Sequence, residues 1–110
     1  MPQYMLALYD DRSGWKQLSP EEMQKAIEKY SAWGKKPYVI QGKRLGTDLG
    51  RVLRSTNGKT RATDGPYSET KEVMGGIYLI EAKNYDEAVE RTLDHPHLEH
   101  GTIELRQLYS

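Results

Sequence analysis

Two short stretches constrain this chain more than any other, because each is apolar on both of its faces. Tyr4 to Tyr9 reads Tyr-Met-Leu-Ala-Leu-Tyr. Strand alternation puts Tyr4, Leu6 and Leu8 on one side and Met5, Ala7 and Tyr9 on the other. Gly76 to Glu81, built around Ile77-Tyr78-Leu79-Ile80, has the same character. Strands of this kind are covered on both sides. A chain of 110 residues is one domain by length, spanning 1–110, and its helices can cover only one face of a small sheet. The second face is therefore expected to pack on another copy of the chain, as a two-fold homodimer.

The remaining elements follow from punctuation and period. Ser19-Pro20-Glu21-Glu22 is a helix start, with Ser19 as cap, Pro20 in the first turn and Glu22 completing a capping box. Met23, Ala26, Ile27, Tyr30 and Trp33 keep helical spacing until Gly34 and Pro37 end the helix. Tyr38-Val39-Ile40 is a short strand, and Gly42 to Gly50 reads as loop. Asn57-Gly58 joins two strand-like runs, Arg51–Thr56 and Lys59–Thr63, as a hairpin, since both turn positions need positive φ. Asn84-Tyr85-Asp86-Glu87 is a second capping box, and His95-Pro96 stops the helix it opens. In the last strand, Thr102 to Leu108, Ile103 and Leu105 share one face and Thr102, Glu104 and Arg106 the other. Glu104 and Arg106 would then line a partly polar chamber between two sheets.

Composition narrows the function classes. The formal net charge is zero, whereas nucleic-acid binders carry a basic excess. The basic hairpin around Arg54, Lys59 and Arg61 has only Tyr67 as a nearby ring for stacking bases. Cysteine is absent, which removes disulfides, thiolate nucleophiles and thiolate metal sites. No apolar run approaches the ~20 residues of a membrane span, and the start lacks the basic-then-apolar order of a signal peptide. The expectation is a cytoplasmic protein.

The densest punctuation lies at Asp64-Gly65-Pro66-Tyr67, followed by Glu69, Lys71 and Glu72 and then by Gly75-Gly76. With Gly101-Thr102-Ile103-Glu104-Leu105-Arg106, Tyr4-Met5-Leu6, Trp15 and Leu18-Ser19-Pro20-Glu21-Glu22, this block resembles the YCII-related family, and within it the subgroup named for an Asp-Gly-Pro-Phe (DGPF) motif. Tyr67 stands where that motif has Phe. The resemblance implies an α+β, ferredoxin-like βαββαβ fold with an extra hairpin, assembled as a dimeric α/β barrel. It also implies an ill-defined function. Some relatives are linked to sigma factors, which suggests a transcription-machinery partner, and a few distant ones are enzymes acting on small ring compounds. The enzyme-like branch has been proposed to use a His-Asp pair with the His in the first half. Here residues 1–94 contain no His, so that pair does not carry over.

Candidate site residues follow. Asp64 is either a general base or ligand-orienting carboxylate, with Tyr67, Glu69, Lys71 and Glu72 as neighbours and Tyr67 or Arg106 as its partner in an enzyme, or a turn residue accepting backbone N–H bonds. Gly65-Pro66 is expected to be a rigid corner that delivers Tyr67 against the core or chamber. Glu104 and Arg106 either recognise an anion or pair at the dimer interface. Tyr4 and Tyr78 are expected to join them around a ligand. His95, His97 and His100 are read as solvated loop residues rather than metal ligands. No cofactor is expected. Three functions stand side by side: a homodimeric small-molecule binding or regulatory domain, a small lyase or isomerase acting on a polar ring compound, and an interaction module linked to sigma-factor regulation.

Overall fold

A computed structural model describes residues 1–109. Its strands are β1 (Gln3–Asp10), β2 (Val39–Arg44), β3 (Arg51–Thr56), β4 (Lys59–Asp64), β5 (Val73–Glu81) and β6 (Thr102–Gln107). Its helices are α1 (Ser13–Lys16), α2 (Pro20–Trp33) and α3 (Tyr85–Thr92), and a 3-10 turn runs over Pro96–Glu99. Four strands form one antiparallel sheet in the order β2-β5-β1-β6, and β3 and β4 form a separate ribbon. This is the mixed α+β architecture that the alternation of patterns predicts.

The helix starts behave as their capping residues require. The Ser19 hydroxyl accepts from the Glu22 N–H at 3.1 Å, while the Glu22 carboxylate accepts from the Ser19 N–H at 3.0 Å. At α3 Asn84 caps the Glu87 N–H at 2.9 Å, but the Glu87 carboxylate reaches the Lys83 N–H and the Arg91 guanidinium instead of closing the box. Several segments differ from the sequence reading, and β5 begins three residues earlier than expected, at Val73. Residues 42–44 continue β2 rather than beginning a loop, because the Tyr78 ring lies over Gly42, where a Cβ would sit 2.7 Å from it. The stretch read as loop after β1 holds the single turn α1.

The core lies on the helix side of the sheet. Tyr4, Leu6 and Leu8 of β1 and Tyr78 and Ile80 of β5 pack there with Trp33 and Ala88. Trp33 is anchored at its polar end, its indole N–H donating to Asp94 at 2.9 Å. The molecule is thin, 46 × 41 × 19 Å, about one sheet and one helix layer. Its radius of gyration, 15.9 Å, exceeds the roughly 13 Å expected of a compact domain this long. The ribbon accounts for part of this, since β4 is exposed along its whole length. Among the described residues no helix is long and apolar enough to cross a membrane.

Candidate functional site

The face of the sheet turned away from the helices is built in rows, because antiparallel partners share a side. Gln41, Leu79, Met5 and Arg106 form one row across β2, β5, β1 and β6; Lys43, Ile77, Ala7 and Glu104 form the next. The middle of each row is apolar and the ends are polar. Tyr9 adds a ring, and its hydroxyl donates to Glu104 at 3.4 Å. Burial first, then the adjacent Glu104 charge, push the Tyr9 phenol above its ordinary pKa. Arg106 meets Glu104 at 3.8 Å with both side chains largely exposed. Glu104 and Arg106 thus stand side by side on the open face, as their spacing predicts.

Other expected site residues lie elsewhere. Tyr4 and Tyr78 sit on the opposite face from Glu104 and Arg106. Tyr4 is 1% exposed and packs edge-on against Tyr85, with ring centroids 5.0 Å apart; the Tyr78 hydroxyl donates to the Tyr30 carbonyl at 3.2 Å. Parity explains both, since each shares a side with the core leucine and isoleucine two residues away. The corner at Gly65-Pro66 also differs from expectation. The Asp64 carboxylate meets Arg51 at 3.5 Å in open solvent rather than backbone N–H groups. Tyr67 is 75% exposed, with the Arg54 guanidinium 5.5 Å from its ring centre, and does not enter the core. Gly65 itself is held tightly: its N–H donates to the Gly50 carbonyl at 3.0 Å, and a Cβ would strike the Leu49 carbonyl oxygen. Within the described residues no hydrogen bond or ion pair joins Asp64, Tyr67 and Arg106.

A second constellation was not foreseen. His95 and His97 are each 2% exposed, not solvated, because the 3-10 turn folds inward beneath α2. The His95 ring lies 4.4 Å from Trp33 and 4.9 Å from Tyr78. Its Nδ1 accepts from the His97 N–H at 3.0 Å, while its Nε2 is buried without a partner among the described residues. Burial pushes its pKa down to about 4. His97 Nε2 lies 2.8 Å from the Tyr9 carbonyl, which can only accept, so Nε2 carries the hydrogen. Its bare Nδ1 then accepts from the Tyr30 hydroxyl at 2.7 Å, and the Tyr30 oxygen accepts from His100 Nε2 at 3.2 Å. Burial lowers the His97 pKa as well and raises that of Tyr30, so both rings are neutral at pH 7.

Asp10 closes this cluster. It continues the inward parity of Tyr4, Leu6 and Leu8 and is buried at 4% exposure. It accepts from the Arg12 N–H at 2.8 Å and the Trp15 indole at 3.1 Å, with His97 Nε2 4.0 Å away. Asp10, His97 and His100 bring potential metal ligands within 4.8 Å of one another. The Asp10 oxygens, both His97 nitrogens and His100 Nε2 are already engaged in these bonds, and the Arg12 guanidinium stands 3.7 Å from the carboxylate. The arrangement therefore favours a hydrogen-bonded relay over cation coordination.

Comparison with known proteins adds the following. Residues 3–110 match the family described as the YCII-related domain. An uncharacterized protein of Rhizobium meliloti is 36% identical over 114 residues, covering 96% of this chain and 90% of that one. Among solved structures, similarity extends to a 5-chloro-2-hydroxyhydroquinone dehydrochlorinase of Burkholderia phenoliruptrix, in complex with 2,5-dihydroxybenzoquinone. That match has 16% identity and a TM-score of 0.46, and covers 97% of this chain and 93% of that one.

Proposed function

This chain belongs to the YCII-related domain family, and from that premise we propose that it acts as a homodimeric small-molecule binding or regulatory domain. The observation that carries the reading is the open sheet face. Leu79, Met5, Ile77 and Ala7 form an apolar centre, with Lys43 on one edge strand and Glu104 and Arg106 on the other. An apolar centre within a polar rim is the anatomy of a protein interface, and large apolar patches are uncommon on monomers. The thinness of the molecule agrees, because a second copy would supply the missing layer. The sheet order, with the last and first strands adjacent and the second at the far edge, supports the ferredoxin-like, dimeric α/β barrel reading. Asp64-Gly65-Pro66-Tyr67 supports placement in the DGPF subgroup. Tyr9, Glu104 and Arg106 would then border a chamber between the sheets, where the guanidinium suits a small anion.

Sedimentation velocity at micromolar concentration should give a dimer, and Leu79→Glu, which places a charge at the centre of the face, should give a monomer. A monomeric wild-type protein would contradict the reading. A thermal-shift screen of polar metabolites should then find a ligand whose stabilisation is lost in Arg106→Ala. That ligand should be recovered chemically unchanged by mass spectrometry; its conversion would count against pure binding.

A further inference from the structure

A groove of about 430 Å³ opens on the helix-covered side of the molecule, remote from the open face. Trp15, Leu18, Ala26, Tyr30, Pro96 and His100 line it. Its Trp15 ring centre lies 5.7 Å from that of Tyr30 and 5.2 Å from that of His100. Aromatic and aliphatic walls interspersed with polar groups, here Glu22, Lys25, Lys29 and Glu99, suit a flat organic ligand with a polar substituent. The outer terminus of the relay, His100, is one of the groove's walls. Since His100 donates from Nε2 to Tyr30, its neutral ring leaves Nδ1 as the lone-pair nitrogen. Lys25 also lines the groove. Lys29 beside it pairs with Glu99 at 3.5 Å, whereas Lys25 has no ion pair among the described residues.

We propose that this groove binds a small planar weak acid, carrying an O–H or ring N–H, and that His100 takes its proton with Tyr30 and His97 arrayed behind. The ligand heteroatom keeps the electron pair of its broken bond to hydrogen, and the proton bonds to His100 Nδ1. The His100 Nε2 proton can then pass to the Tyr30 oxygen as the Tyr30 proton passes to His97 Nδ1. No oxidant or further reactant is involved. His97 keeps its Nε2–H on the Tyr9 carbonyl, and the Asp10 carboxylate 4.0 Å away offsets the charge. Burial disfavours a charged His97, and the Glu99 carboxylate, next in the chain to His100, also lines the groove. Lys25 supplies a cation in the same groove for the anion left behind. The ligand is thus bound as its conjugate base, the state from which a lyase, an isomerase or a simple receptor would each proceed.

The probe is para-nitrophenol, whose anion absorbs visibly, titrated into the whole protein near the pH at which the free probe is half ionised. Saturable quenching of tryptophan fluorescence is expected, together with a rise in the anion-to-neutral ratio of bound probe of about tenfold, one pKa unit of differential interaction. Trp15→Phe should remove most of the quenching. His100→Gln should keep the quenching and lose the rise, and Tyr30→Phe should diminish the rise. No saturable quenching in the wild type, quenching that persists in Trp15→Phe, or an undiminished rise in His100→Gln would each overturn the proposal. Should His100→Gln fail to fold, nitrogen NMR of the wild-type His100 ring decides the matter: protonation on probe binding supports the proposal, and an unchanged neutral ring overturns it.

Discussion

Acidification should unfold this protein through His95. The imidazole is 2% exposed and walled by Trp33 and Tyr78, and a second proton would have to enter at Nδ1, which accepts from the His97 N–H, so burial outweighs the attraction of the nearby Asp94 carboxylate. Its pKa falls from 6.5 in the unfolded chain to about 4 in the fold. Because the folded value is depressed, the unfolded state binds the proton first, and stability drops as pH falls. The loss begins near pH 6.5, continues at about 1.4 kcal/mol per unit and levels off near pH 4, for a total of about 3 kcal/mol. His97, lowered by the same burial, acts in the same direction. Urea unfolding at fixed protein concentration, repeated across this range, gives the slope. His95→Asn keeps an acceptor for the His97 N–H while removing the titrating ring. It should be less stable at pH 7, through lost packing, yet show a shallower slope between pH 6.5 and 4. A variant slope equal to that of the wild type would refute the assignment to His95.

Three further outcomes follow from close contacts. Gly42→Val, which strand propensity alone would favour, should instead cost about 1–3 kcal/mol in chemical denaturation, because its Cβ would stand 2.7 Å from the Tyr78 ring. Gly101→Ala should cost a similar amount and shift the His97 ring resonances, since the new carbon would crowd the Tyr9 carbonyl that holds this ring. Asp64→Asn and Asp64→Ala should both leave the melting temperature unchanged, because the carboxylate is exposed and, among the described residues, its one ion pair is with exposed Arg51. A clear loss in Ala but not in Asn would show that a backbone bond holds the corner after all.

Much of the fold was legible because local signals and burial agreed. Ser19-Pro20 and Asn84 start helices where capping chemistry says they should, and Asn57-Gly58 turns the hairpin, both residues at positive φ. Alternation in β1 and β6 assigned each side chain to its correct face. The failures share a cause: a residue type was read for its local propensity when a distant partner decided its use. Gly42 resembled loop punctuation, yet it lies within a strand to admit a ring 36 positions further on. Asp64, before Gly-Pro, resembled a backbone acceptor, yet the exposed ribbon pairs it across the strand with Arg51.

The histidine cluster shows how such a site could be found earlier. Its members come from β1, α1, α2 and the 3-10 turn, and Tyr30 and His97 are 67 residues apart, so no spacing motif exists. Yet Asp10 sits at the inward parity of a strand whose three preceding inward residues are Tyr4, Leu6 and Leu8. A carboxylate at that position must be exposed by a bend or met by buried donors. Trp15, His97 and Arg12 are the residues that meet it. Likewise, Gly101 precedes a strand that could have begun with any residue, so its lack of a side chain points to a close approach. The approach is that of the His97 ring to the Tyr9 carbonyl. That contact fixes the His97 tautomer, and with it the direction of every hydrogen bond out to His100. A glycine that admits this contact and the Tyr9 backbone carbonyl therefore determine which nitrogen of an exposed histidine is free to take a proton.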